Sequence, residues 1–149
     1  MAEAFRRPMD LRRRLTALAA VAACLAAALG IRLLAGTSVL DSAGTLAQYS
    51  GTALYASMIY AGLFVLAPAL RPAMAAAVAI AFCWAVELFQ LTGVPAGLSA
   101  HSVLARLALG VAFDPADLLW YPVGVLPLLA AHAYFSHHCR LIRGTSPRR

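Results

Sequence analysis

A single acidic residue, Glu87, lies inside an apolar run, 73–91 (AMAAAVAIAFCWAVELFQL), that carries no other charge. A helix rises ~1.5 Å per residue and the hydrocarbon core of a bilayer is ~30 Å thick, so this run is long enough to cross a membrane. An ionised carboxylate at that depth costs several kcal/mol unless it is paired or protonated. Glu87 therefore needs a partner, and we expect a nearby cation to supply it.

The composition excludes an ordinary water-soluble domain. The chain has 149 residues, of which 62% are hydrophobic and 12% are charged. A soluble domain is usually about 45–50% apolar and about 25% charged. Polar surface is too scarce here to cover a globule in water, so the sequence predicts one small membrane domain, 15–135, between basic cytoplasmic tails at 1–14 and 136–149.

The apolar runs predict an all-α polytopic membrane protein, a bundle of four transmembrane helices. The Gly-, Ser- and Thr-rich stretch 36–51 is predicted to be a loop. A tight turn at 67–72 (APALRP) makes the second and third spans an antiparallel hairpin. The four spans are predicted at about 15–35, 52–70, 73–91 and 115–135.

Between the third and fourth spans, the segment 98–113 (LSAHSVLARLALGVAF) is apolar but too short to cross a bilayer. We predict a short interfacial or re-entrant helix on the outer face rather than a fifth span.

The N-terminal region has two interpretations. A basic stretch before an apolar run resembles a signal peptide, and 21–24 (VAAC) fits a lipoprotein cleavage site. The apolar run continues through Leu34 without a polar linker, which favours an uncleaved first span.

The net charge of +6 comes from arginine alone, because the chain has no lysine. The arginines cluster beside the apolar runs, as in membrane proteins, so we expect the lipid bilayer and no nucleic acid as a partner. The positive-inside rule predicts that both termini are cytoplasmic, in the inner (cytoplasmic) membrane of the cell. The terminal arginines are Arg6, Arg7, Arg12, Arg13, Arg14, Arg140, Arg143, Arg148 and Arg149.

Small residues recur at four-residue spacing in the first and third runs. In lipid, close approach of helix backbones over small side chains supplies much of the contact between helices. These two seams predict contacts between spans or between the subunits of a homo-oligomer. They are Ala22, Ala26 and Gly30 in the first run, and Ala73, Ala77, Ala81 and Ala85 in the third.

Five polar residues are predicted to lie in the outer leaflet. Glu87 and Gln90 are three residues apart and share a helix face. Arg32 and Asp117 lie near the outer ends of their spans, and Arg106 lies on the outer segment. In a four-helix bundle these side chains converge into a candidate binding cluster, where an arginine beside Glu87 removes most of its desolvation cost.

Several interpretations of these residues remain open. A Glu87–Arg32 pair fixes helix register, or it belongs to a functional pocket or proton relay, or Glu87 is protonated. The run 114–117 (DPAD) matches an N-cap, a first-turn proline and an acidic residue favoured by the helix dipole. Trp120 and Tyr121 match an interfacial aromatic belt.

No catalytic, cofactor or metal motif is present. His137, His138 and Cys139 are adjacent, so on a helix they point in different directions and lack spaced partner ligands. Cys24 and Cys83 fall inside apolar runs, where cysteine behaves as a small hydrophobe. We therefore predict no catalytic residue, cofactor or metal.

A series of short motifs follows one order along the chain: 49–51 (YSG), 53–55 (ALY), 87–91 (ELFQL), Leu109, Gly110, Phe113, Asp117, Leu118, Tyr121 and Gly124. This order resembles a small bacterial integral membrane family of unknown function, often labelled the ribosomal maturation YjgA family, and is loosely similar to VanZ-like proteins. The resemblance extends over about residues 30 to 130 and implies at most an envelope role. The chain departs from the family at Thr52 and Ala100, where an aspartate and an arginine are usual.

Three classes of function fit these observations. The favoured one is a non-enzymatic accessory protein of the cell envelope with a buried polar cluster in the outer leaflet. The alternatives are a small oligomeric transporter or ion-coupled carrier, and a membrane enzyme acting on a lipid-linked substrate. The loss of two polar family positions weakens the enzymatic interpretation.

Overall fold

The computed structural model describes the backbone of residues 2–35 and 44–144, and the side chains of 10–34, 44–135 and His138. The part of the chain so described folds into six α-helices and contains no strand, which confirms the predicted all-α class. The helices are α1 (Ala2–Ala35), α2 (Thr45–Leu66), α3 (Pro72–Gln90), α4 (Val94–His101), α5 (Val103–Leu109) and α6 (Asp117–Gly144).

Four of these helices are long and apolar enough to span a membrane, as the sequence predicts. They contain the candidate spans Asp10–Leu34, Thr45–Leu66, Pro72–Gln90 and Asp117–Phe135. The first and last helices continue beyond their spans into the basic terminal regions, since α1 begins at Ala2 and α6 ends at Gly144.

The predicted loop 36–51 is wrong over its second half, because α2 begins at Thr45. The ring of Tyr49 stacks on that of Trp120 in α6, with centroids 5.1 Å apart. Contact with α6 therefore outweighs the weak helix propensity of the glycine, serine and threonine residues. The first half of that loop, 36–43, lies outside the described residues.

The predicted turn between the second and third spans is found. The backbone N–H of Leu70 donates to the carbonyl of Ala67 at 3.0 Å, just after α2 ends. Helix α3 then begins at Pro72, where a missing N–H costs nothing because the first turn of a helix has no acceptor for it. The third span thus matches the predicted 73–91 to within one residue.

The predicted single helix at 98–113 is instead divided into α4 and α5. Ser102 has an extended backbone, with φ −145° and ψ 121°, and its side chain accepts a hydrogen bond from the N–H of Ala105 at 3.2 Å. Serine thereby ends one helix and caps the next. Both helices are far too short to span a membrane, and their interfacial or re-entrant position stays a prediction.

Helices α2, α3 and α6 pack around a core of small and aromatic residues. At the closest approach of α2 and α6, a Cβ atom on Gly124 would overlap the backbone of Ala53. The hydroxyl of Ser57 also donates to the carbonyl of Gly124 at 2.8 Å. The buried core residues are Ala56, Tyr60, Ala75, Ala76, Ala79, Cys83, Tyr121 and Val125.

A side chain of α3 replaces a backbone hydrogen bond that a proline removes from α6. Pro122 has no N–H, so the carbonyl of Leu118 loses its partner within the helix. The indole N–H of Trp84 donates to that carbonyl at 2.9 Å. Backbone groups in hydrocarbon must be satisfied inside the protein, and this contact meets that requirement.

Helix α1 contacts α2 and no other helix within the described residues. The seam of small residues in α1 is exposed at Ala22 and Ala26 and half-buried at Gly30. The seam in α3, residues Ala73, Ala77, Ala81 and Ala85, is exposed throughout. The two seams therefore do not meet each other within the chain.

Candidate functional site

A cavity of about 760 Å³ lies between α1, α2, α3, α6 and the segment 106–112. All five polar residues that the sequence groups together line this one cavity. They come from four helices, and their role as a binding site stays a prediction. They are Arg32, Glu87, Gln90, Arg106 and Asp117.

Glu87 is fully buried in the cavity wall, and neutral donors hold its carboxyl group. Oε1 accepts a hydrogen bond from the backbone N–H of Asp114 at 2.7 Å, and Oε2 accepts one from the hydroxyl of Tyr121 at 2.6 Å. Among the described side chains, Glu87 forms no ion pair. The expected pair with Arg32 is therefore wrong, because α1 packs on α2 whereas Glu87 faces α6.

Helix geometry explains why Glu87 faces α6. It follows Cys83 by four residues, and both lie on the buried face of α3. Glu87 accepts from the backbone N–H of Asp114, in the turn that precedes α6, and from the hydroxyl of Tyr121 one turn into that helix.

Two more acids, Asp114 in the turn before α6 and Asp117 in its first turn, contact α2. Asp114 accepts through Oδ2 from the side-chain amide of Gln48 at 2.7 Å and through Oδ1 from the N–H of Ala116 at 2.9 Å. Asp117 accepts through Oδ1 from the hydroxyl of Thr52 at 3.0 Å. These contacts explain why the polar residues at the start of α2 are helical rather than part of a loop.

The predicted cap at 114–117 differs in detail from the structure. Helix α6 begins at Asp117, so Asp114 and Pro115 form a turn before it, and the N–H of Asp117 donates to the carbonyl of Asp114 at 3.0 Å. Pro115 therefore does not occupy the first helical position. The acidic first-turn residue is present as expected.

Gln90 has an unused acceptor at the cavity wall. Its Nε2 donates to the carbonyl of Leu109 at 2.7 Å, whereas its buried Oε1 has no donor among the described residues. Gly110 fits against this amide at φ 69°, where a Cβ would lie 2.5 Å from Nε2. Only glycine adopts that conformation readily and leaves room for Gln90.

The two arginines of the site keep free donors. Arg106 donates from Nη2 to the carbonyl of Ser99 at 3.1 Å, and Nη2 of Arg32 lies 4.0 Å from where a Cβ of Gly51 would be. Both side chains are exposed, and neither forms an ion pair within the part of the chain that the structure describes. A guanidinium group carries five N–H donors, so most of them remain available.

The cavity is polar at one end and apolar at the other. On α1 its wall extends from Arg32 to Cys24, ~12 Å along the axis at ~1.5 Å per residue. On α2 it extends from Gln48 to Met58, ~15 Å on the same scale. We call the end at Arg32 and Gln48 the polar end. Other apolar lining residues are Leu25, Ala28, Leu29, Leu54 and Leu107.

Two site residues were not identified from the sequence. Tyr121 was interpreted as an interfacial aromatic, but only 4% of it is exposed and it donates to Glu87. It follows Asp117 by four residues, and that spacing on one helix face was a usable signal. Gln48 was assigned to a loop, so its contact with Asp114 had no sequence signal.

No group of three His, Cys, Asp or Glu residues is placed to hold a metal ion among the residues that the structure describes. The side chains of His137 and Cys139 lie outside that part. His138 is described, and its ring stacks on Tyr134 with centroids 5.8 Å apart.

Comparison with known proteins gives a family but no activity. Residues 42–125, more than half of the chain, match a family whose description is "Protein of unknown function (DUF2809)". The matched range contains every predicted site residue except Arg32. No curated protein and no solved structure matches the chain. The family match lends no support to the YjgA or VanZ-like names.

Proposed function

This chain belongs to the DUF2809 family, and from its own geometry we propose that it is a non-enzymatic accessory protein of the cell envelope that binds a ligand inside the membrane. One observation carries the proposal. Five polar side chains from four helices line a single cavity at one end of four candidate spans. Ligand sites between helices commonly have this form, with apolar walls and a few convergent polar groups.

The engagement of the acids supports binding rather than catalysis. Both oxygens of Glu87 accept hydrogen bonds, and Asp114 and Asp117 each bind a side chain of α2. A general base must reach the proton that it removes. These carboxylates instead hold α2, α3 and α6 together, which leaves the arginines and Gln90 as the groups that face a ligand.

We further propose that the four spans form a bundle in the inner membrane, with both termini cytoplasmic and with α4 and α5 at the outer face. Arg13 donates to the carbonyl of Pro68 at 3.2 Å, so the basic end of α1 lies beside the turn that carries Arg71. This basic end is opposite the polar end of the cavity. The positive-inside rule then puts the cavity toward the outside.

The exposed seam of α3 supports a homo-oligomer as a further proposal. Its four alanines are exposed, and small side chains allow the backbone of a second copy to approach closely. An oligomeric carrier, the second candidate function, depends on this contact because four spans are few for a transport path. Proteoliposomes that take up no solute, together with a monomeric mass in detergent, would count against the carrier.

A deletion strain tests the proposed function. Without the protein, we expect altered sensitivity to cell-wall-active or membrane-active compounds, restored by the wild-type chain. Arg32→Gln and Arg106→Gln together should fail to restore it at equal protein levels. Arg71→Gln is the matched control, because it also removes an exposed arginine, but at the start of α3, far from the cavity. Full restoration by the double variant would contradict a working role for the cavity.

A further inference from the structure

We propose that the cavity binds the phosphoethanolamine headgroup of a membrane phospholipid, with part of its acyl chains along the apolar wall. This inference rests on the proposed function, in which the cavity is the ligand site, and adds the class of ligand. Three features lead to it: the polarity gradient of the walls, the free arginines, and the acceptors of Gln90 and Asp117 in the same cavity lining.

The polarity gradient matches an amphiphile rather than a uniformly polar solute. On α2 the wall changes from Gln48 and Thr52 to Leu54 and Met58 with increasing depth. A lipid lying parallel to the helices has the same order, headgroup first and chains below. A volume of about 760 Å³ holds more than a headgroup alone, so the deeper part is available to acyl carbons.

The arginines recognise the phosphate. Arg32 and Arg106 both line the cavity, and neither has an anionic partner among the described side chains. Guanidinium groups bind phosphate oxygens through paired, charge-assisted hydrogen bonds. These groups are free because Glu87 is satisfied by Tyr121 and a backbone amide and does not occupy Arg32.

The acceptors recognise an ammonium group. Oε1 of Gln90 is buried without a donor, and Asp117 lies in the same wall with its Oδ1 bound to Thr52. In the proposed complex the ammonium group lies between Gln90 and Asp117, which both line the cavity, and it donates to the amide oxygen and the carboxylate. A trimethylated choline has no N–H to give, so it leaves Gln90 unsatisfied. The site thus favours ethanolamine over choline.

Helices α1 and α3 both line the cavity, and their backbones do not come close to each other within the described residues. In the proposed complex the lipid enters between these two helices, so that it does not leave its own leaflet.

Binding of matched short-chain lipids to the purified full chain tests the proposal. The ligands are dihexanoyl-phosphatidylethanolamine, dihexanoyl-phosphatidylcholine, free phosphoethanolamine and inorganic phosphate, measured by native mass spectrometry from detergent. We expect the ethanolamine lipid to bind about tenfold more tightly than the choline lipid, a ratio equal to one good charge-assisted hydrogen bond. The two chainless phosphates should bind far more weakly.

Variants assign the two halves of the headgroup. Arg32→Gln with Arg106→Gln should weaken both lipids about tenfold or more, whereas Arg71→Gln should leave both unchanged. Gln90→Met should lower the ethanolamine-to-choline ratio toward one without weakening the choline lipid. This ratio is taken on one folded sample, so general destabilisation does not change it. If Gln90→Met does not fold, Asp117→Asn should lower the ratio while still accepting from Thr52.

Several results would overturn the inference. Equal affinity for the two lipids would exclude an ammonium site, and tight binding of free phosphoethanolamine would identify a soluble ligand instead. If neither lipid binds, but the double variant Arg32→Gln with Arg106→Gln still fails to restore the deletion strain, the lipid class is wrong and the proposed function stands. If the ethanolamine lipid binds, but the double variant restores the strain fully, the proposed function fails.

Discussion

Replacing Tyr121 with phenylalanine tests how the buried acid is held. The substitution removes one hydroxyl, which donates to Oε2 of Glu87 at 2.6 Å, and keeps the ring that packs in the core. Glu87 has no exposed surface, so water cannot replace the lost donor. Leaving a buried polar atom without its partner costs about 1–3 kcal/mol, and we expect Tyr121→Phe to lower the free energy of unfolding by about 2 kcal/mol.

The assay is reversible unfolding in mixed micelles of dodecylmaltoside and sodium dodecyl sulfate, followed by circular dichroism. Tyr49→Phe is the matched control. The ring of Tyr49 stacks on Trp120, and its hydroxyl makes no hydrogen bond among the described residues. Its loss should change the free energy of unfolding by less than about 0.5 kcal/mol.

Substitutions of Glu87 itself extend the test. Glutamine can accept from the N–H of Asp114 with its oxygen and donate to the oxygen of Tyr121 with its amide, so Glu87→Gln should cost little. Glu87→Leu leaves both buried donors without an acceptor, and should cost about 3 kcal/mol or more. The reasoning is refuted if Tyr121→Phe costs no more than Tyr49→Phe, or if Glu87→Gln destabilises as strongly as Glu87→Leu.

Three further predictions concern packing and topology. Gly124→Ala should lower the free energy of unfolding by about 1–3 kcal/mol, because the new Cβ overlaps the backbone of Ala53. Gly62→Ala is the control and should not destabilise, because there is open space around Gly62. Equal effects of the two substitutions in the same unfolding assay would contradict the close approach of α2 and α6. Trp84→Phe frees the carbonyl of Leu118 and should cost about 1 kcal/mol, and an unchanged stability would mean that the carbonyl is satisfied otherwise. A C-terminal green fluorescent protein fusion should fluoresce and an alkaline phosphatase fusion should be inactive; the reverse pattern would invert the topology.

The candidate spans were predictable because the bilayer sets the length of a membrane helix. The run 73–91 and the turn ending at Pro72 were both located to within a residue or two, since the apolar run and the proline define their ends. The start of α2 was misplaced because its polar residues resemble a loop. Their distant contacts, such as that of Gln48 with Asp114 in the turn before α6, are not visible in local composition.

The grouping of five cavity-lining residues was predictable, whereas the partner of Glu87 was not. Sequence position gives the depth of a side chain in a span, and depth brings Arg32, Glu87, Gln90, Arg106 and Asp117 to one end of the bundle. It does not tell which neighbouring helix a given face meets. The cavity exists only in the packing of the helices, and the binding role of these residues stays a prediction.

The identity of the hydrogen-bond partner of Glu87 decides whether the arginines are free to bind a ligand. Solid-state nuclear magnetic resonance of the full chain in bilayers measures it directly, because the chain has only two glutamates, Glu3 and Glu87. With ¹³C at the glutamate carboxyl carbon, we predict strong rotational-echo dephasing from ¹⁵N-labelled aspartate amides, since the N–H of Asp114 lies 2.7 Å from Oε1. Dephasing of Glu87 from arginine guanidinium ¹⁵N instead would contradict the account.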